Sequence, residues 1–325
     1  MAGSAVRVRG LTKRFGNVEA VRGIDLDVAE GEMFGFLGPN GAGKTTTIKI
    51  LCTLSEATAG SAMVAGYDVA TDRAAVRSRI GLVFQEPTLD SYLTGEQNLR
   101  FHGELYGVRR ALLHRRMDEV LEMVGLADRR RDLVQTYSGG MRRRLEIARG
   151  LLHAPAVLFL DEPTIGLDPQ TRAAIWDYIG ALRRTEDITV FVTTHYMEEA
   201  EHCDRIAIID NGQVAVTDTP EALRGAIGAD RVQIKTDDDP AAIAQLRERL
   251  GVAAAMHEGM VTFAVPGGAE FIPRLFRDLG VGIATVTVTR PSLDDVFMAY
   301  TGRTIRDAEK GSGALHPFQL AAGRR

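Results

Sequence analysis

The sequence predicts an α/β fold in two parts, a larger domain at residues 1–228 and a smaller α+β domain at residues 229–302. Three observations predict it. The chain has 325 residues, of which 45% are hydrophobic and 25% charged, a globular composition with more length than one core usually needs. β-rich runs alternate with helical stretches in the first part. From Arg231 onward a new series of short strands and helices begins.

The charge balance, the cysteine content and the hydropathy exclude several classes of protein. Thirty-nine Lys and Arg residues against 43 Asp and Glu residues give a net charge of −4, so no overall basicity attracts nucleic acid. Cys52 and Cys203 are too few for a disulfide or zinc framework and suit a reducing compartment. No segment approaches the roughly 18 apolar residues of a membrane helix, and the N-terminus lacks a signal peptide's apolar region. We expect a protein that does not span a membrane.

A glycine-rich segment lies between a predicted strand and a predicted helix. Residues 28–37 have a strand pattern, and residues 45–54 have helical apolar periodicity. The segment between them matches the P-loop pattern G-x-x-x-x-G-K-[ST] with Gly38, Pro39, Asn40, Gly41, Ala42, Gly43, Lys44 and Thr45. In such a loop the backbone N–H groups turn towards phosphate oxygens, Lys44 reaches the β- and γ-phosphates, and Thr45 ligates Mg²⁺. The segment therefore predicts nucleotide binding.

The strand pattern disappears between residues 94 and 152, which predicts a helical insertion on the α/β body. Residues 100–150 hold twelve Arg and no Lys against seven Asp and Glu. This basic segment could face a membrane-embedded partner or anionic lipid headgroups. An Arg-rich face in contact with solvent explains it equally well, so no function is assigned to it.

A second apolar strand, residues 157–160, ends in the two carboxylates Asp161 and Glu162. Taken alone, this is more often a solvated strand end, but the P-loop upstream favours a Walker B strand. Asp161 would then hold Mg²⁺. Glu162 would orient or activate the water that attacks the γ-phosphate, because hydrolysis needs a positioned water. We predict Asp161 as a metal ligand and Glu162 as a catalytic residue.

The second domain has the element order of a ferredoxin-like unit, β-α-β-β-α-β. Its predicted strands are at residues 232–236, 253–256, 261–265 and 283–289, and its predicted helices are at residues 240–250 and 270–279. Ser292 and Asp295 then have the spacing of a capping box and predict a further helix. Residues 303–325 lack periodicity, and we expect them to be disordered.

Residues 137–141, Tyr-Ser-Gly-Gly-Met, resemble the ABC-family signature, whose usual form is Leu-Ser-Gly-Gly-Gln. Other family elements follow in order: Gln85 resembles the Q-loop residue, Asp168 lies in a segment similar to the D-loop, and His195 resembles the switch histidine. Each residue alone has an ordinary structural explanation, so the shared order carries the resemblance. It implies a P-loop ABC ATPase domain with a helical subdomain, which hydrolyses ATP with Mg²⁺ and uses Glu162 and His195 in catalysis.

The resemblance also implies the remaining nucleotide contacts. Phe15 matches the position where the family stacks an aromatic ring on adenine. Tyr137 and Met141 depart from the usual signature letters, but the three residues that would contact the γ-phosphate are intact. Gln85 is implied as a metal ligand as well. The implied contacts beyond the P-loop are Phe15, Thr46, Gln85, Ser138, Gly139, Gly140 and Asp168.

Residues 193–201 and 291–297 are similar to the daunorubicin-type ATP-binding subunits of drug-resistance exporters, and the likeness spans about residues 5 to 302. The resemblance implies a separate integral-membrane permease subunit and a position on the cytoplasmic face of the cell membrane. In the family, ATP lies between the P-loop of one subunit and the signature of another. Since this chain has one of each, we expect a homodimer, or a dimer with a related ATPase. The transported compound, a drug, lipid or other hydrophobic molecule, cannot be identified from the sequence.

Two other functions are compatible with a P-loop, one in a soluble ABC protein and one in a regulatory nucleotide-binding module. A soluble ABC protein that acts on a ribosome or nucleic acid usually has two cassettes or a long coiled-coil insertion, and this sequence has neither. A regulatory module that binds nucleotide without hydrolysis is the third possibility. The presence of Glu162 and His195 favours hydrolysis.

Overall fold

The structure is a computed structural model that describes residues 3–86, 88–186, 188–257, 259–303 and 305. The chain divides into two compact units, with the boundary between Asp218 and Thr219. Most of the segment expected to be disordered, residues 303–325, lies outside the described residues.

The first unit is built of strands and helices that alternate along the chain. Its described strands are β1 (Ser4–Phe15), β2 (Val18–Ala29), β3 (Met33–Leu37), β4 (Ala59–Val64), β5 (Tyr67–Asp68), β6 (Ile80–Val83), β7 (Val157–Asp161), β8 (Thr189–Thr194), β9 (Arg205–Asp210) and β10 (Gln213–Asp218). Its described helices are α1 (Lys44–Leu51), α2 (Arg73–Arg79), α3 (Gly95–Leu105), α4 (Arg110–Met123), α5 (Gly139–Leu151), α6 (Pro169–Glu186) and α7 (Met197–Ala200).

A mostly parallel sheet forms the centre of this unit, with strand order β10-β9-β3-β8-β7-β6. β3, β7 and β8 are buried along their whole length. The largely apolar sequences of β3 and β7 fit this position, since a parallel sheet is covered on both faces, and β8 buries three threonines beside its apolar residues. Phe34, Phe159 and Phe191 pack in this core, with Phe191 5.4 Å from each of the other two ring centroids.

Two further parts complete the first unit. An antiparallel sheet has strand order β2-β1-β4-β5, an arrangement that the sequence analysis did not resolve. Between β6 and β7 the elements are helical, from α3 to α5 with short 3₁₀ turns at Ala127–Arg129 and Val134–Thr136, as the insertion at residues 94–152 predicts. Among the described residues, no helix has the length and apolar character needed to cross a bilayer.

The second unit contains α8 (Pro220–Ile227), β11 (Asp230–Thr236), α9 (Asp239–Leu250), β12 (Ala254–His257), β13 (Met260–Val265), α10 (Gly268–Asp278), β14 (Ile283–Thr289) and α11 (Leu293–Thr301). The strand order is β12-β13-β11-β14, and the three strand pairs are antiparallel. This confirms the ferredoxin-like topology. The capping box of Ser292 and Asp295 is present at the start of α11.

The unit boundary precedes the one that the sequence suggested at residue 228, because α8 packs with the second unit. Thr219 caps this helix by accepting a hydrogen bond from the Ala222 N–H at 3.1 Å, and Pro220 occupies its first turn. Leu223 of α8 is buried, as are Leu293, Val296 and Phe297 of α11. α8 and α11 contact each other within the second unit.

Substitution of Phe297, on α11, tests whether this buried side chain stabilises the second unit alone. The side chain is fully buried, so Phe297→Ala should lower the free energy of unfolding of that unit by about 3–5 kcal/mol. The one tryptophan, Trp176, lies in the first unit, so its fluorescence reports that unit, whereas far-UV circular dichroism reports both. In urea titrations, part of the dichroism transition should move to lower urea while the fluorescence transition stays.

Met298→Ala provides the matched control, because the adjacent side chain on α11 is 54% exposed. It should leave both transitions in place. An equal shift of both signals in Phe297→Ala would contradict separate stabilisation of the second unit.

Candidate active site

Three neighbouring strand ends bring the candidate site together. β3, β8 and β7 are parallel, with Leu37 opposite Thr194 and Asp161 opposite Thr193. The next residues, Gly38, His195 and Glu162, therefore emerge at the same edge of the sheet. The Gly38 N–H donates to the Thr194 carbonyl at 3.1 Å, which extends the pairing into the loop.

The glycine-rich loop follows a path that other residues would block. A Cβ atom on Gly38 would lie 2.2 Å from the carbonyl oxygen of Ile209. Gly43 has φ 108°, and its Cβ would lie 2.5 Å from the carbonyl oxygen of Ala20. The loop is thus held between the body of the unit and the first turn of α1, whose N–H groups are available for an anion.

Lys44 is buried at the centre of the site, with 4% of its side chain exposed. Its Nζ donates to the carbonyl oxygens of Gly38 at 2.7 Å and Pro39 at 3.1 Å. It also lies 3.1 Å from Glu162 Oε1. The P-loop lysine and the carboxylate at the end of β7 therefore form a buried ion pair within one chain.

Asp161 and Thr45 supply oxygen ligands of the kind that Mg²⁺ prefers. The Thr45 hydroxyl lies 3.2 Å from Asp161 Oδ1, and the Thr193 hydroxyl donates to the same oxygen at 2.6 Å. Burial raises the pKa of Asp161, because the charged form loses hydration. A buried carboxylate beside a threonine hydroxyl fits a divalent cation, whose charge would compensate this cost.

Glu162 adopts an uncommon backbone conformation immediately after the strand. Its φ is 49°, and its N–H donates to the Thr193 hydroxyl at 3.0 Å. Oε1 lies 3.4 Å from His195 Nδ1, while Oε2 has no hydrogen-bond partner in the described part of the chain. Burial by itself would raise the pKa of Glu162, but the contact with His195 and the charge of Lys44 outweigh it and lower the pKa.

Three buried charged residues surround this centre, although sequence analysis did not single them out. Arg143 and Glu146 form an ion pair at 3.0 Å on α5. The two carboxylate oxygens of Glu199 accept hydrogen bonds from the hydroxyls of Thr164 and Thr194. The sequence gives no signal that separates Arg143 from the other arginines of the basic segment, or Glu199 from exposed Glu198 beside it.

The signature residues lie outside this cluster, at the start of α5. Ser138 and Gly139 are exposed, and the Ser138 hydroxyl caps the helix by accepting the Met141 N–H at 3.2 Å. Gly140 packs so closely that a Cβ atom would lie 2.5 Å from Thr171 Cγ2. Tyr137 replaces the usual leucine with a buried ring whose hydroxyl donates to the Arg129 carbonyl at 2.7 Å.

The remaining predicted site residues differ in how much of each is exposed and in whether the side chain has a partner. Asp168 caps α6 by accepting the Thr171 N–H at 3.0 Å, and it also accepts the Thr171 hydroxyl at 2.6 Å; the hydroxyl bond and the N–H bond lower the pKa of Asp168. Phe15, at the end of β1, is 48% exposed, with Lys13 Nζ 4.8 Å from the ring centroid. Gln85 is exposed after β6, and Thr46 is half-buried in α1. In the loop itself, Pro39 and Ala42 are buried, whereas Asn40 and Gly41 are exposed.

Comparisons with known families match both units. Residues 21–165 match the family described as "ABC transporter". Residues 219–301 match the family described as "ATP-binding protein DrrA1-3-like, C-terminal domain".

Similar proteins extend the match over nearly the whole chain. The daunorubicin resistance ATP-binding protein DrrA2 of Streptomyces coeruleorubidus is 42% identical over 330 residues, which cover 97% of this chain and 100% of that protein. The linearmycin resistance ATP-binding protein LnrL of Bacillus subtilis (strain 168) is 35% identical over 319 residues, which cover 93% of this chain and 100% of that protein.

A solved structure agrees with the fold of the first unit. CbiO1 of Clostridium perfringens, described as part of the ABC transporter complex CbiONQ, superimposes with a TM-score of 0.64 at 26% identity and covers 68% of this chain and 90% of that one. These matches confirm the resemblance carried by the motifs. The chain belongs to the ABC transporter family, as an ATP-hydrolysing, ATP-binding subunit with a DrrA-like C-terminal domain.

Proposed function

We propose that ATP hydrolysis takes place at the cluster of Lys44, Thr45, Asp161, Glu162 and His195, and that it powers export through a separate membrane subunit. One observation carries the assignment of the site. Glu162 Oε1 lies 3.1 Å from Lys44 Nζ and 3.4 Å from His195 Nδ1, while its Oε2 has no partner among the described residues. One oxygen is therefore held in place, and the other, buried without a partner among the described residues, would accept a hydrogen bond from the attacking water.

Each member of the cluster has a distinct part in this proposal. Lys44 binds the β- and γ-phosphates, as in other P-loop proteins. Thr45 and Asp161 hold Mg²⁺, which when bound neutralises charge on the phosphate oxygens. Glu162 accepts a proton from the attacking water or orients it, and His195 keeps the Glu162 carboxylate in position.

The proposed site is completed by a second chain. Ser138 and Gly139 are exposed at the start of α5, while Lys44 is buried in the P-loop of the same chain. With one P-loop and one signature per chain, two copies can form two sites, each with the P-loop of one copy and the signature of the other. The exposed N-terminus of α5 would offer the Ser138 hydroxyl and backbone amides to the γ-phosphate.

The proposed role in export is supported by the relatives, which are named for resistance to daunorubicin and linearmycin. By that analogy the transported molecule is a drug, lipid or other hydrophobic compound. It would pass through an integral-membrane permease, with this chain bound at the cytoplasmic face of the cell membrane. The conformational change would follow from closure of two chains on ATP and their opening after hydrolysis.

Glu162→Gln tests the catalytic assignment. The amide keeps the shape of the side chain but cannot accept a proton, so steady-state hydrolysis should fall by about 10²-fold or more while ATP still binds. Phosphate release and equilibrium ATP binding measure the two effects. Lys44→Ala should instead weaken ATP binding itself, because it removes the charge that faces the phosphates. Near-normal turnover of Glu162→Gln would rule out the assignment.

A mixture of two inactive variants tests the two-chain site. Lys44→Ala chains retain the signature, and Ser138→Arg chains retain the P-loop. Each mixed dimer should therefore contain one site made of intact halves, so that hydrolysis by the mixture exceeds the sum of the separate variants. A mixture that stays inactive where dimers are demonstrably present would contradict the two-chain site.

The ionisation of Glu162 predicts a pH dependence of stability. Its pKa is lowered in the folded chain from 4.5, so its ion pair with Lys44 contributes stability above that value. The contribution is lost as pH falls through the lower, folded pKa. Urea unfolding of the wild type and Glu162→Gln across this pH range should show a wild-type advantage that shrinks on acidification. An advantage that grows on acidification would contradict the lowered pKa.

A further inference from the structure

Arg143 uses all of its hydrogen-bond donors inside the first unit. It lies on α5, five positions after Ser138, and only 8% of its side chain is exposed. A guanidinium has five N–H donors in a fixed plane. In Arg143 they reach the carbonyl oxygens of Phe84, Asp161, Glu162 and Pro163 and the carboxylate of Glu146.

Three of these acceptors are consecutive carbonyls at the end of β7. Successive carbonyls of a strand point in opposite directions, so one side chain does not normally reach a run of them. The positive φ of Glu162, 49°, breaks this alternation and turns the carbonyls of residues 161–163 towards Arg143. The hydrogen bonds to Asp161 and Glu162 are 3.3 and 3.2 Å long. Arg143 therefore contacts the backbone that sets the direction of the Glu162 side chain.

The same arginine holds the segment around Gln85. Its Nη1 donates to the Phe84 carbonyl at 2.6 Å. Its ion-pair partner Glu146 accepts the Thr88 N–H at 2.7 Å through the other carboxylate oxygen. A buried ion pair destabilises a protein unless hydrogen bonds satisfy both charges. Here the charges of Arg143 and Glu146 are satisfied by backbone groups near the site.

We propose that Arg143 is a positioning residue for Glu162 of its own chain. The inference rests on the two-chain site proposed above. In that arrangement Ser138 serves the site that contains the partner's P-loop. Arg143, on the same helix, acts on the other site, the one that contains its own chain's P-loop and Glu162. Helix α5 thus connects the two sites of the dimer.

Arg143→Lys is the variant of choice, because lysine keeps the charge beside Glu146 but has three donors in place of five. Its kcat should fall by about 10-fold or more, with the ATP dissociation constant within about twofold of the wild type. Arg144→Lys is the matched control, since Arg144 makes the same kind of bond to the Val124 carbonyl in the helical insertion, at 2.7 Å. Its kcat should stay near that of the wild type. Thermal unfolding verifies that both variants fold.

Mixed dimers then identify the affected site. Arg143→Lys chains mixed with Ser138→Arg chains should hydrolyse ATP faster than the sum of the two alone, because an intact signature on the first meets an intact P-loop and Glu162 on the second. Mixed with Lys44→Ala chains, they should show no gain. A gain only with Lys44→Ala would mean that Arg143 supports the site completed by its own chain's signature, which would overturn the proposal. Gains in both mixtures, or in neither, would also overturn it.

The mixture of Lys44→Ala and Ser138→Arg chains distinguishes a failure of the two-chain site from a failure of the positioning role of Arg143. If this mixture regains no hydrolysis, the two-chain site is wrong. The positioning role of Arg143 is then tested by Arg143→Lys alone, in which kcat should fall while the ATP dissociation constant stays near that of the wild type. Unchanged kcat, or an ATP affinity lost in step with kcat, would overturn the positioning role in that case.

Discussion

The parallel pairing of β3, β8 and β7 is the constraint on which the site depends. Each strand contributes the residue that follows it, and the shared register brings Gly38, His195 and Glu162 to one edge of the sheet. A shift of one residue in either pair would turn every side chain of the shifted strand to the opposite face, and the contacts among Lys44, Glu162 and His195 would be lost. Phe34, Phe191 and Phe159 occupy paired positions on β3, β8 and β7, and contact between their buried rings stabilises this register.

Buried charge is concentrated at that edge, and each charge is compensated by its neighbours. Lys44 pairs with Glu162, Arg143 with Glu146, and Glu199 accepts two threonine hydroxyls. Asp161 accepts the hydroxyls of Thr45 and Thr193, but burial outweighs them and raises the pKa of Asp161, because the charged form loses hydration. In the site proposed above, this sheet edge combines Glu162 as the base, Lys44 as the phosphate-binding lysine, and the oxygen atoms of Thr45 and Asp161 as metal ligands. These are the groups that phosphoryl transfer to water requires.

In the second unit, too, the pattern of apolar residues along the sequence matches the side chains that are buried in the core. Its sheet and two helices bury Val232, Ile234, Leu246, Phe263 and Leu275 in a separate core. The alternation of apolar residues in each strand was sufficient to predict the β-α-β-β-α-β order, because one face of such a sheet is buried and the other is not. Helix α8 was not anticipated, although Thr219 and Pro220 are a recognisable helix start.

The sequence by itself determined the strand–loop–helix of the P-loop, the apolar strand that ends in Asp161 and Glu162, the helical insertion and the topology of the second unit. These features depend on spacing and periodicity within short stretches of chain, which a sequence displays directly. Only the tertiary structure decided that Lys44 contacts Glu162, that Arg143 is buried among backbone carbonyls while neighbouring arginines are not, and that Glu199 joins the segments after β7 and β8. Those contacts join residues far apart in the chain, and burial and hydrogen-bond partners arise only when the strands and helices pack.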